Sequence, residues 1–116
     1  LSFMRTTQVP IPSQASAVKL VNAVLHAHGF VSLVSEARTG RVIAQAGALT
    51  GLGREAHLNI RQVAPGSIVL EVEVRNLGLE LKRARVNDYM EIRIIREIHK
   101  VAYHKKSQPV RLALSA

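Results

Sequence analysis

Ile68-Val69-Leu70-Glu71-Val72-Glu73-Val74-Arg75 is the stretch on which the fold turns. Ile68, Leu70, Val72 and Val74 alternate with Glu71, Glu73 and Arg75. Successive side chains of a strand point to opposite faces, so the segment reads as a β-strand with one face in a core and the other in water. Ahead of it, Ala64-Pro65-Gly66-Ser67 carries turn chemistry, and before that Leu58 and Ile60 alternate with His57, Asn59 and Arg61. Two strands joined by so short a turn predict an antiparallel hairpin.

Towards the N-terminus, Gly47-Ala48-Leu49-Thr50-Gly51-Leu52-Gly53 reads as a loop. Arg41-Val42-Ile43-Ala44, the turn Arg38-Thr39-Gly40 and the extended run through Phe30, Val31, Leu33 and Val34 predict a second hairpin. Before it, Ala17, Val18, Val21, Val24, Leu25 and His28 recur at helical spacing, opposed by Lys19, Asn22 and His26. With Ser13 as N-cap and Gly29 as the stop, they predict a first helix over residues 14–28. Val9-Pro10-Ile11-Pro12 cannot be helical, because each proline lacks a donor and biases the preceding residue towards extended backbone. Residues 1–12 are expected to form an extended arm or edge strand.

Towards the C-terminus, Asn76-Leu77-Gly78 breaks the strand, and residues 77–86 read either as a strand extension or as a helical lead-in. Asn87-Asp88 starts a second helix, with Asp88 and Glu91 near the positive end of its dipole. Met90, Ile94, Ile95, Ile98, Val101 and Ala102 gather on one side of the wheel, and Arg93, Arg96 and Lys100 on the other. Met90, Ile92 and Ile94 also alternate as a strand would; length favours the helix, to about Tyr103. Residues 105–116, with Pro109, are expected to be a frayed tail or an added edge strand.

These elements predict an α+β fold in two layers: an antiparallel sheet of about four strands covered by two amphipathic helices. Residues 13–104 would form the domain proper. A chain of 116 residues, 47% hydrophobic, suits one core. Aromatic residues make up only 3%, so recognition by stacking is disfavoured. Cysteine is absent, which removes disulfides, thiolate metal sites and thiol nucleophiles. No apolar run approaches the roughly 20 residues of a membrane span. The chain opens on Leu1 rather than methionine, from which an upstream signal, anchor or further domain is expected.

Charge is the strongest compositional signal: 16 Lys and Arg against 8 Asp and Glu give +8. Such a field favours nucleic acid, an anionic lipid surface or an acidic protein surface. Lys82, Arg83 and Arg85 precede the second helix, Arg93, Arg96 and Lys100 line its polar face, and Lys105 and Lys106 follow. Together they form a candidate electropositive stripe for an anionic partner, diluted by Glu80, Asp88 and Glu97.

Catalytic and cofactor patterns are weak. Gly47, Gly51 and Gly53 lack the Gly-Lys-Ser/Thr and the following helix that a phosphate loop needs. His26 and His28 diverge on the first helix and His99 and His104 on the second, leaving no zinc spacing. No serine sits in a nucleophile elbow. Glu71 and Glu73 share a strand face, a geometry open to acid/base work. Arg61 and Arg75 make a solvated cross-strand charge ladder the preferred reading. No catalytic residue, metal or cofactor is expected.

Ala27-His28-Gly29-Phe30, Thr39-Gly40-Arg41-Val42-Ile43-Ala44 and Pro65-Gly66-Ser67-Ile68-Val69-Leu70-Glu71-Val72, followed by a closing helix, resemble the small periplasmic domains of bacterial cell-envelope lipoproteins. The resemblance covers about residues 13–103. It implies a non-enzymatic accessory or assembly module, working with a protein partner or as a homo-oligomer, in the periplasm or envelope. The alternative is a nucleic-acid-binding domain that holds phosphate backbone through the basic stripe, with a cytoplasmic location.

Overall fold

A computed structural model describes residues 4–47, 53–76 and 85–115. Its elements run β1 (Arg5–Val9), α1 (Gln14–Ala27), β2 (Val31–Glu36), β3 (Arg41–Ala46), β4 (Arg54–Ala64), β5 (Ser67–Asn76) and α2 (Arg85–Ser115). The strands form one five-stranded sheet, ordered β1-β5-β4-β3-β2, with every neighbouring pair antiparallel. Both helices lie on one face. The expected two-layer α+β architecture is therefore present, with five strands rather than about four: part of the N-terminal arm is β1, paired with β5 from Arg5↔Val72 to Val9↔Ile68.

Local chemistry accounts for the elements near their expected bounds. Ser13, in extended backbone, caps α1 by accepting the Ser16 N–H at 3.1 Å. Gly29, at φ +85°, lets the chain leave α1, and the Phe30 N–H then bonds the Leu25 carbonyl at 2.9 Å. The β4–β5 turn closes at Pro65-Gly66, where Gly66 has φ +74°. In the β2–β3 turn, Gly40 has φ +73°, and a Cβ there would lie 1.8 Å from the Ile60 carbonyl oxygen. Only glycine lets this turn approach β4 closely enough for the Ile60 N–H to bond the Gly40 carbonyl at 2.7 Å.

The core lies between sheet and helices. Val42, Ala44, Ala56, Leu58, Ile60, Ile68, Leu70, Val72 and Val74 face Val18, Val21, Val24 and Leu25 of α1 and Ile94, Ile98 and Ala102 of α2, all buried. On α2, Ile94 and Ile98 are fully buried and Ile95 partly so, whereas Arg93, Arg96 and Lys100 are exposed, as the helical pattern predicts. Gln14 fixes the start of α1 to the β2–β3 turn, donating to the carbonyls of Ala37 at 3.0 Å and Arg38 at 2.9 Å.

Three expectations need correction. First, α2 continues to Ser115, so residues 105–115 are helical rather than a tail or edge strand. Lys105, Lys106, Arg111, Leu112, Ala113 and Leu114 are good helix formers, and no glycine stops the helix after Tyr103. Second, Asn87 lies inside the first turn of α2 rather than capping it; its buried amide joins Arg54 at 2.8 Å and Asn76 at 2.9 Å. Third, Glu91 is wholly buried and serves as more than a dipole partner, as described below. Residues 48–52 of the expected 47–53 loop and residues 77–84 of the 77–86 stretch lie outside the described residues; 85 and 86 belong to α2.

Candidate functional site

Three features could carry function: a polar row on the open face of the sheet, the groove between β1 and α2, and the exposed face of α2.

The open face is ordered by strand register. Glu55 stands opposite both Gln45 and Arg75, His57 opposite both Ile43 and Glu73, and Asn59 opposite Glu71. The Gln45 amide donates to Glu55 at 3.0 Å, the other Glu55 oxygen meets His57 Nε2 at 2.5 Å, and Glu73 pairs with Arg75. The Gln45 hydrogen bond, with help from His57 and the Arg75 charge, holds the Glu55 carboxyl below the usual carboxylate range, against the effect of burial. A histidine held by a carboxylate is an acid/base arrangement in form. Here the direct ion pairs run along single strands, Glu55 to His57 on β4 and Glu73 to Arg75 on β5, while the Gln45–Glu55 bond and the facing registers Glu55↔Arg75 and His57↔Glu73 make a ladder across them. The ladder differs from the expected one. Arg61 faces Val69 rather than a glutamate, and Glu73 is only 5% exposed, so this face is not uniformly wet.

The groove begins with Glu91. Val74 lies beyond Val72, the last β5 residue paired with β1, and its N–H donates to Glu91 Oε2 at 2.7 Å. The other carboxylate oxygen accepts from Arg5 Nε at 3.0 Å, and Arg5 also reaches Asp88 at 3.4 Å. The carboxylate thus continues the ladder where β1 stops, and ties α2 to the sheet. Thr7 bonds His99 Nε2 at 2.6 Å about two helical turns further along α2. Backbone groups alternate sides along a strand, so the Val74 N–H direction sets the rest of β5. Val72, Leu70 and Ile68 point theirs at β1 and exchange bonds with Arg5, Thr7 and Val9. Thr6 and Gln8 then turn their N–H and C=O groups to the outer edge, which pairs with no strand among the described residues.

Beside that edge runs a groove of about 430 Å³ lined by Arg5, Thr6, Thr7, Ile92, Ile95, Arg96 and His99. Its floor is apolar and its rim cationic. Along the solvent face of α2, Tyr89, Ile92 and Tyr103 are exposed among Arg93, Arg96 and Lys100. Arg93 lies over the Tyr89 ring at 5.7 Å, and Tyr103 stacks on His99 at 6.0 Å.

Of the expected basic stripe, Arg93, Arg96 and Lys100 share this face. Arg85, Lys105 and Lys106 lie on the same helix, and Lys82 and Arg83 fall outside the described residues. Sequence reasoning missed Arg5, Thr7, Glu91 and His99 as a connected set. One signal was available: Glu91 continues the apolar Ile94, Ile98 stripe of α2 by one turn, a position where a carboxylate must find a buried partner. Among the described residues, no group of three or more histidines and carboxylates is placed to hold a metal ion, and no helix is long and apolar enough to cross a membrane.

No family model matches the chain, and no curated protein does. Among solved structures, the chain is similar to the di-domain ARO/CYC StfQ from the steffimycin biosynthetic pathway, at TM-score 0.64 and 13% identity over 92% of this chain. It spans 47% of that protein's chain. A DUF4468 family protein from Bacteroides ovatus ATCC 8483 overlaps 73% of this chain and 61% of its own at 14% identity, with a TM-score of 0.39. The first likeness is one of fold; at such identity a shared fold carries no activity with it.

Proposed function

We propose that this chain is a non-catalytic interaction module that binds an anionic macromolecular partner through the α2 face beside β1. The observation that carries this reading is the groove itself: an apolar floor of Ile92 and Ile95 next to a strand edge that no described strand pairs, rimmed by Arg96 and continued by Arg93 and Lys100. Exposed apolar side chains set among cations fit a protein partner with acidic and apolar groups. They fit phosphate backbone less well, since nucleic-acid interfaces are more polar and more uniformly positive. The resemblance of its turn and strand motifs to envelope domains is the ground for giving it an accessory role in the bacterial cell envelope.

The test is titration of the protein with polyglutamate and with a DNA duplex, each at low and at high salt. Polyglutamate should bind at low salt and weaken as salt rises. Changing Arg93, Arg96 and Lys100 together to Ala should abolish most of that binding while leaving the far-ultraviolet spectrum intact. Tighter, steeply salt-dependent binding of the duplex would replace this reading with the nucleic-acid one. Binding of neither would remove both.

A further inference from the structure

The outer edge of β1 is a strand template set beside a charged groove. Thr6 and Gln8 present their backbone donors and acceptors outward, with no strand partner among the described residues. Gln8 extends its side chain back to Ser67, and Thr6 is small, so nothing bulky or charged on these residues guards the edge. Exposed edges are usually guarded by charged side chains, proline, a bulge or brevity. β1 is short, at five residues, and its one charge, Arg5, is turned inward to Glu91 and Asp88; between Arg5 and Val9 it has no proline or bulge, and Pro10 and Pro12 come after it.

We propose that β1 accepts an extended acidic segment of a partner protein as a sixth strand, with alternate side chains of that segment entering the β1–α2 groove. The inference rests on the interaction-module reading and specifies its partner. Backbone hydrogen bonds to Thr6 and Gln8 supply affinity, and pockets that take every second side chain supply selectivity, as in other strand additions. An apolar side chain meets Ile92 and Ile95, and a carboxylate meets Arg96. A second copy of this chain fits poorly, because a β1–β1 pairing brings two basic α2 faces together in a protein of net charge +8.

The probe is an alternating glutamate–valine peptide of about six residues, an ordinary strand length, measured by fluorescence anisotropy at low salt. Its controls are the same peptide N-methylated at every second amide, and a lysine–valine version. The parent should bind; N-methylation in the pairing register should weaken it at least about tenfold through lost backbone bonds. The lysine version should not bind. Thr6→Pro removes an outward N–H that the β5 ladder does not use, a position where edge strands tolerate proline. It should weaken the parent peptide by a similar factor with little change in the unfolding midpoint. If Thr6→Pro misfolds, the N-methylated peptide still decides, since it leaves the protein untouched.

Equal binding of parent and N-methylated peptides, both lost in the Arg93, Arg96 and Lys100 triple variant, overturns strand addition but retains the basic-face reading. Failure of every peptide, with polyglutamate still bound, also overturns strand addition. A wild-type dimer broken by Thr6→Pro would name a second copy as the occupant and overturn the acidic-segment assignment.

Discussion

Removing the Glu91 carboxylate should destabilise the protein more than any change on the solvent face of α2. Glu91→Ala takes the acceptor from the Val74 N–H, a charge-assisted backbone bond in a buried setting, and bonds to charged groups contribute about 1.5–3 kcal/mol. It also takes a partner from Arg5, whose side chain is 39% exposed and can return to water, so that loss is at most about 1 kcal/mol. The expected total is about 2–4 kcal/mol. At about 4 °C per kcal/mol for a chain of this size, Tm should fall by about 8–16 °C. Glu91→Gln keeps an oxygen for Val74 and gives up the charge, so it should cost about half as much. Urea unfolding with an unchanged m-value checks that the loss belongs to the native state. A loss below about 0.5 kcal/mol for Glu91→Ala would refute the view that this carboxylate completes the β5 ladder.

Ile98→Ala should leave a cavity under α2 and cost about 2–5 kcal/mol, whereas Arg96→Ala should change stability by no more than about 0.5 kcal/mol in the same denaturation assay. Gly40→Ala should cost at least about 2 kcal/mol, because positive φ is compounded by collision with the Ile60 carbonyl; Gly66→Ala, with nothing near its Cβ, should cost about 1 kcal/mol. Because folding lowers the Glu55 pKa, its contribution is present above the unfolded value and is lost as pH falls through the folded one. Glu55→Gln should therefore flatten the loss of stability below the ordinary glutamate range of about 4.3, as read from Tm between pH 6 and about 3.

What the sequence makes legible is local. The α1 cap at Ser13 and stop at Gly29, the turns at Gly40 and Gly66 and the buried stripe of α2 follow from backbone and side-chain preferences within a few residues of each site. The partner of a strand is decided elsewhere in the chain. Nothing near Val9-Pro10-Ile11-Pro12 says that residues 5–9 will lie along β5, or that Arg61 will face Val69 instead of a glutamate. The groove suffers most, since Arg5, Thr7, Glu91 and His99 come from opposite ends of the chain and meet only through the fold. The exposed cations of α2 were readable, because helical spacing alone separates them from Ile94 and Ile98.

The most direct test of the interaction-module reading is a map of backbone amide chemical shifts during polyglutamate titration at low salt. Perturbations should concentrate at Thr6, Thr7, Ile92, Arg96 and His99, around the groove. Perturbations centred instead on Glu55, His57, Glu73 and Arg75 of the open sheet face, or spread evenly over the surface, would contradict it.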